Sequence, residues 1–329
     1  MSVLATVDRP AHVPAALAVD FDFMRPGPEG SDPFEAWIRL HGLPPLVWTP
    51  RNGGHWLATR GEDIPSILKD HERFSSSRAF IGMIDRPKAV PLEYDPPEHG
   101  PLRKILIPAF TPKAVSVWSA EARRLSIELI EGFKPDGGCE FISDFAQQLP
   151  MIIFLKIVDL PLDHRRKLID WVGTGLRSTD TAQRIEARTN LNAYLESMLD
   201  RRLANPGDDL FSMAIQADIG GRRMNRQEAL GLGSALLGGG LDPRSFECPM
   251  EVRFDRKDSY KHSTLSHGIH RCIGAALASQ EMKIFLEEWL ARIADFSTDP
   301  DDPPVMATGI VHGLTRLPLR WNGRQASSL

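Results

Sequence analysis

The chain has 329 residues, 42% of them hydrophobic and 25% charged, with a formal net charge of −4. That length can bury a sizeable core in one large domain or two ordinary ones, and the slight acidity argues against a nucleic-acid partner, which normally requires a basic footprint. No apolar stretch approaches bilayer length, and Met1 to Pro14 lacks the charged and apolar regions of a signal peptide, so a soluble, cytoplasmic protein with no membrane contact is expected.

Helical signals dominate the chain. Asp32-Pro33 opens the first helix with a cap residue and a proline at the first helical position. Leu46-Val47-Trp48-Thr49 and His55-Trp56-Leu57-Ala58-Thr59 flank Asn52-Gly53-Gly54, a hairpin signal. Thr111-Pro112 starts a helix running to about Phe133, and Phe141 to Leu160 gives another. Periodic segments follow from His164 to Val172 and from Thr181 to Leu203, the latter closed by Asn205-Pro206-Gly207. Asn225 and Glu228 form a capping box for a helix that is apolar nearly all round and should be buried. A long amphipathic run covers Ala275 to Ile293, and the tail returns to strands at Gly309-Ile310-Val311 and Leu317 to Trp321, joined through His312 and Gly313. With no repeat and no flexible linker, residues 1–329 read as a single domain, mainly α with a small β part.

The three cysteines are too few and too scattered for a disulfide framework or a zinc site with paired ligands. Cys139, in Asp136-Gly137-Gly138-Cys139, suits a turn or strand start, and Cys248, before Pro249, suits packing. Cys272 differs. The stretch Leu265-Ser266-His267-Gly268-Ile269-His270-Arg271-Cys272-Ile273-Gly274 sets it on a glycine-flanked loop at the mouth of a helix. A helix N-terminus favours the thiolate, the form that binds metal or acts as a nucleophile. Gly268 and Gly274 allow positive φ, or close approach of backbone to something large and flat. A lone cysteine at a helix start is ordinarily a small buried hydrophobe, but that leaves two glycines and His270 at fixed offsets without a reason.

A second constellation is Asp95-Pro96-Pro97-Glu98-His99-Gly100-Pro101-Leu102-Arg103. His99 and Arg103 are four apart, so on a helix they share a face and together suit a pair of carboxylates. The alternative is a turn followed by a solvated charged face. Pro101 is compatible with a helix only in its first turn.

Taken together, these two motifs resemble those of the cytochrome P-450 family. Its haem-ligand loop carries G-x-H-x-C-x-G before an Ala-Leu-Ala helix, and many bacterial members carry D-P-P-E-H-x-x-x-R. The resemblance implies a cytochrome P-450-like fold and a haem b whose iron takes the Cys272 thiolate as proximal ligand, with His99, Arg103 and His270 on the propionates. Leu265, Gly268 and Gly274 would then lie against the porphyrin. His12-Val13-Pro14, Asp20-Phe21-Asp22, Asn52 to Trp56, Ala58-Thr59-Arg60-Gly61, Phe74-Ser75-Ser76 and Leu286 to Ile293 are similar to the camphor monooxygenase branch. That branch implies insertion of one oxygen atom of O₂ into a C–H bond of a small hydrophobic, terpenoid-like substrate. Electrons would come from a two-iron ferredoxin with its NADH-dependent reductase. Arg103, Lys104 and Arg271 are its candidate docking residues, and equally ordinary solvated charges.

The chain also departs from the family. Gly239-Gly240-Leu241-Asp242 matches the first half of a distal Gly-Gly-x-Asp-Thr-like segment, which makes Asp242 the acid that delivers protons, but Pro243 stands where the threonine should be. Arg244 to Phe254 is instead similar to the irregular segment upstream of the cysteine loop, which in the camphor branch also begins Gly-Leu-Asp. An internal deletion with its junction at 242–243 accounts for both observations. It would remove the rest of the distal helix, the Glu-x-x-Arg helix and a further propionate arginine, leaving the fold incomplete and an apolar surface exposed. The alternative function is then a haem-binding but catalytically impaired member. Leu265 and Ser266 stand where Phe and Gly are usual, and Ser is less free to take positive φ. No tyrosine from Ala79 to Glu93 matches the phenol that holds camphor, and Tyr94 lies too near the Asp-Pro-Pro turn, so camphor itself is not supported.

Overall fold

A computed structural model describes residues 6–28, 32–81, 86–238 and 262–321. Asp242, the 242–243 junction and Cys248 lie outside the described residues.

The helices begin where the sequence supplies caps. Helix α1 (Pro33–Leu40) starts on Asp32, whose carboxylate accepts from the Phe34 amide at 2.8 Å. Strands β1 (Leu46–Thr49) and β2 (His55–Ala58) pair antiparallel with Trp48 opposite Trp56. Their turn is longer than a two-residue hairpin, and Asn52, Gly53 and Gly54 all take positive φ in it. Two short helices follow, α2 (Ile64–Lys69) and α3 (His99–Leu106), and Pro101 does fall in the first turn of α3. Helix α4 (Pro112–Phe133) is capped by the Thr111 hydroxyl.

Strand β3 (Gly138–Glu140) leads to a π-helical turn over Ile142–Ala146 and then α5 (Gln148–Ile157). The single helix expected from Phe141 to Leu160 is therefore interrupted, and it ends early because Asp159 turns left-handed at φ 47°. Helices α6 (Arg165–Arg177), α7 (Thr181–Ala204) and α8 (Leu210–Gln216) follow, with Asp180 and Asp209 each accepting two amides at an N-terminus. Helix α9 (Arg226–Gly238) carries the expected capping box: Glu228 donates its amide to Asn225 Oδ1 at 2.9 Å, and Asn225 donates its amide to Glu228 Oε2 at 2.9 Å. Its residues 228–233 are buried, as their apolar run predicts.

Helix α10 (Ala275–Arg292) packs along α4, and together they bury Leu125, Ile130, Phe133, Ile284 and Trp289. A second core joins α3, α5 and α6 to α7, α8 and α9 through Leu102, Leu168, Leu195, Phe211 and Leu232. The site described below lies where α3 and α10 bring these cores together. The C-terminal part differs from expectation at Gly309-Ile310-Val311, which is not a strand. That segment is pinned to α6 instead: the Ile310 amide donates to the Leu176 carbonyl at 3.0 Å, and a Cβ on Gly309 would meet that same oxygen at 2.8 Å. The hairpin forms between β5 (Val305–Ala307) and β6 (Gly313–Arg316), while β7 (Pro318–Arg320) lies between β3 and β4 (Ser297–Thr298). Among the described residues no helix is long and apolar enough to cross a membrane.

Candidate functional site

The loop before α10 is closed by its own backbone. The Cys272 amide donates to the Leu265 carbonyl at 2.8 Å, and the Ser266 amide to the Ser263 carbonyl at 2.9 Å. Ser263 Oγ lies 3.0 Å from His267 Nε2. A 3₁₀ turn over Gly268–His270 then delivers Cys272 three residues ahead of the first residue of α10. Ser266 takes φ 58°, so the loop imposes the left-handed conformation that serine disfavours.

The two loop glycines serve different ends. Gly268 has φ 64°, and a Cβ there would lie 2.6 Å from the Leu68 carbonyl, so α2 is what its backbone approaches. Positive φ, one of the two reasons the sequence offered for glycine at 268, is thus joined by a packing reason within the chain. Gly274 has an ordinary φ of −82°, and its Cβ would lie 3.7 Å from Phe110 and 3.9 Å from Cys272 Sγ, at normal contact. Nothing in the protein excludes alanine at 274, but a methyl group would occupy space directly beside the sulfur.

Helix α3 meets this loop. Arg103 Nη2 donates to the Arg271 carbonyl, joining two segments 168 residues apart. His99, only 4% exposed, packs its ring edge against His270, with centroids 4.4 Å apart. Asp95 anchors the entry to α3 by accepting from the Ser75 hydroxyl and the Ser76 amide, which hold its carboxyl below the usual range. The resemblance implied this convergence, and the two motifs, far apart in sequence, lie together in one site.

Its electrostatics are lopsided. Burial, then the charges of His270 and Arg103, push His99 down to about 4, and burial also lowers His270 and Arg103. His99 Nε2 and His270 Nε2 are buried without a hydrogen-bond partner, as is Nδ1 of His71. His71 acts electrostatically on both of the other histidines, and sequence reasoning missed it because Asp70-His71-Glu72 looks like a solvated charged run. Orphaned donors in a cation-rich pocket call for an anionic acceptor. A cavity of about 530 Å³ opens beside them, lined by Arg103, Phe110, Leu265, Cys272 and Ala276 among others. Among the described residues no cluster of three or more His, Cys, Asp and Glu could hold a metal ion. The residues present fit a prosthetic group when it carries carboxylates: a soft sulfur ligand, an open face at Gly274, and unpartnered donors at His99 and His270.

Of the docking candidates, Lys104 and Arg271 are exposed, whereas Arg103 is partly buried and committed to the loop. Two further acids on α10 contrast with each other. Glu288 is buried and bonded to Arg123 and Arg292, while Glu281 is half-buried and burial alone raises its carboxyl to about 7.

No protein-family model matches the chain. Among curated proteins it is similar to "Probable cytochrome P450 127A1" of Sinorhizobium fredii, 27% identical over 95% of this chain and 96% of that one. The cytochrome P450 monooxygenase PikC of Streptomyces venezuelae is 24% identical over 90% of this chain and 93% of its own. Both alignments, of 402 and 387 positions, exceed the 329 residues of the chain and so open gaps within it. Among solved structures, CYP101J2 superposes with a TM-score of 0.79 at 31% identity, and CYP101C1 with 0.81 at 30%. Each pairing covers 96% of this chain and 100% of the other.

Proposed function

Because the chain belongs to the bacterial cytochrome P450 family of monooxygenases, we propose that it holds haem b on Cys272 and inserts one oxygen atom of O₂ into a C–H bond of a small hydrophobic, terpenoid-like substrate. The observation that carries this reading is the convergence of His99, Arg103 and His270 on the Cys272 loop, with two buried ring nitrogens lacking partners. Bound haem supplies the iron at which oxygen is activated, and thiolate ligation favours O–O cleavage. The chain's own contribution is to place Cys272 Sγ at the loop mouth and to offer His99 and His270 as neutral N–H donors to propionates. Arg103 supplies the fixed positive charge beside them. Leu265 and Gly274 would be the residues that face the ring, while Gly268 supports the loop from behind through α2.

Electrons would arrive from a two-iron ferredoxin and its NADH-dependent reductase in the cytoplasm, with Lys104 and Arg271 as the exposed docking cations. Asp242 is the proposed proton donor, and the whole chain one domain shortened at 242–243. A second reading, a member that binds haem without productive turnover, is favoured by alignments longer than the chain itself.

The reduced, CO-bound absorption spectrum tests both readings. A thiolate-type Soret band is expected, and its absence removes both. Substrate-dependent NADH consumption with ferredoxin and reductase then separates them: coupled hydroxylation supports the monooxygenase, whereas a normal spectrum without turnover leaves the impaired member.

A further inference from the structure

A second group of cations lies inside the molecule, away from Cys272. The Arg86 side chain is 10% exposed, and its Nη1 bonds the Glu93 carboxylate at 2.6 Å and the Pro87 carbonyl at 2.9 Å. Its guanidinium lies over Phe80, 4.9 Å from the ring centroid, while Nε and Nη2 are buried without a partner. On α7, Arg188 has Nη1 buried and unpartnered. Burial pushes Arg188 down, and Arg86 and Arg184 push it further, with no carboxylate among the described residues acting in return. Arg184, one helical turn earlier, is lowered by burial alone. Arginine does not give up its proton in proteins. Three charges therefore persist, and among the described residues Glu93 answers one of them.

The place of the cluster is set by packing. The Arg226–Asp200 pair at 2.5 Å, and a Gly233 that leaves only 2.9 Å between a would-be Cβ and Leu195, fix α7 antiparallel to α9. Arg188 and Arg184 accordingly fall towards and beyond Gly238, the last described residue of α9. The segment bearing Arg86 is held on the same helix, since a Cβ on Gly231 would lie 1.9 Å from the Lys88 carbonyl. The cluster thus sits at the end of α9 that leads into the distal segment recognised in the sequence.

We propose that Arg86, Arg184 and Arg188 form a carboxylate-binding site on the substrate side, so that the substrate is a small organic acid with an apolar body. This rests on the monooxygenase reading for the word substrate, although the arginine site itself does not. Guanidinium groups match a carboxylate bidentately and in a fixed orientation, which would hold one end of the molecule and leave its hydrocarbon part to be oxidised.

The test uses the full chain with a terpenoid carboxylic acid and its methyl ester, both titrated by calorimetry in a phosphate-free buffer, and with inorganic phosphate as competitor. The acid is expected to bind about tenfold or more tightly than the ester, since a charge-assisted hydrogen bond is at stake. Arg188→Gln should erase that preference while leaving ester binding and the melting temperature intact, because it removes an uncompensated cation. Arg184→Gln should act in the same direction and serves if the first variant fails to fold. Equal affinity for acid and ester overturns the proposal, and so does phosphate binding as tightly as the acid. The haem spectrum is recorded on the same samples. An acid preference without a thiolate band keeps the arginine site and sinks the monooxygenase reading; a band without the preference does the reverse.

Discussion

Around Cys272 the clustered cations are mostly histidines, whereas around Glu93 they are all arginines. The first cluster can discharge itself: with His99 held near 4, its ring is neutral at pH 7, and the charges of Arg103 and Asp95 beside it are of opposite sign. The second cluster cannot, since its three guanidiniums stay charged and, among the described residues, only Arg86 has an acid partner. A histidine site tolerates standing empty and answers to pH, while an arginine site answers to the charge of whatever enters.

The sharpest way to break this contrast is at the sulfur. Cys272→Ala should abolish the thiolate-type band of the reduced CO complex, whereas Cys139→Ala should leave it unchanged. Cys139 lies within β3 opposite Leu319, and burial pushes its thiol up to about 12. Loss of the band in the Cys139 variant instead would reverse the assignment.

The glycines come next. Gly268→Ala should destabilise the protein by about 2 kcal/mol or more in urea unfolding, since it combines a positive φ with a backbone clash. Gly274→Ala should stay within about 0.5 kcal/mol for the haem-free protein, as an ordinary exchange does, yet lower haem uptake measured by titration. Equal destabilisation by both would mean that Gly274 is a packing residue as well.

Acid titration probes the histidine cluster more gently. The folded pKa of His99 lies below its unfolded value near 6.5, so the unfolded chain binds the extra proton first and stability falls as pH drops from about 6.5 to 4. His99→Gln should flatten that limb of a stability-versus-pH curve. Glu281 runs the other way: its folded pKa of about 7 exceeds the usual carboxyl value, so the stability it contributes in acid is lost as pH rises from about 4.5 to 7. Glu281→Gln should therefore raise the midpoint of thermal unfolding at pH 8 and leave it unchanged at pH 4.

The smallest effect is expected from Ser266→Gly, which relieves a left-handed serine and should stabilise the loop by about 0.5 kcal/mol after the greater chain entropy of glycine is subtracted.

Helix starts were legible because their signals are local: Asp32, Thr111 and the Asn225–Glu228 pair each act within three residues. Both halves of the site were legible for the same reason, and each was found without the other. What the sequence hid depends on distant partners. Gly309 looks like part of a strand until Leu176 is known to press on it, and the contact of Gly268 with α2 has no signal in the sequence around it. His71 has no local signature at all, because its role comes from histidines it meets only in three dimensions.

The bond from Arg103 to the Arg271 carbonyl has a consequence for the order of assembly. It closes a loop of 168 residues, a highly non-local contact of the kind that slows folding. During synthesis α3 leaves the ribosome long before the cysteine loop exists, so His99 and Arg103 are made well before Cys272. On the haem reading, a chain stopped before residue 272 would carry the propionate candidates of α3 without the proposed sulfur ligand.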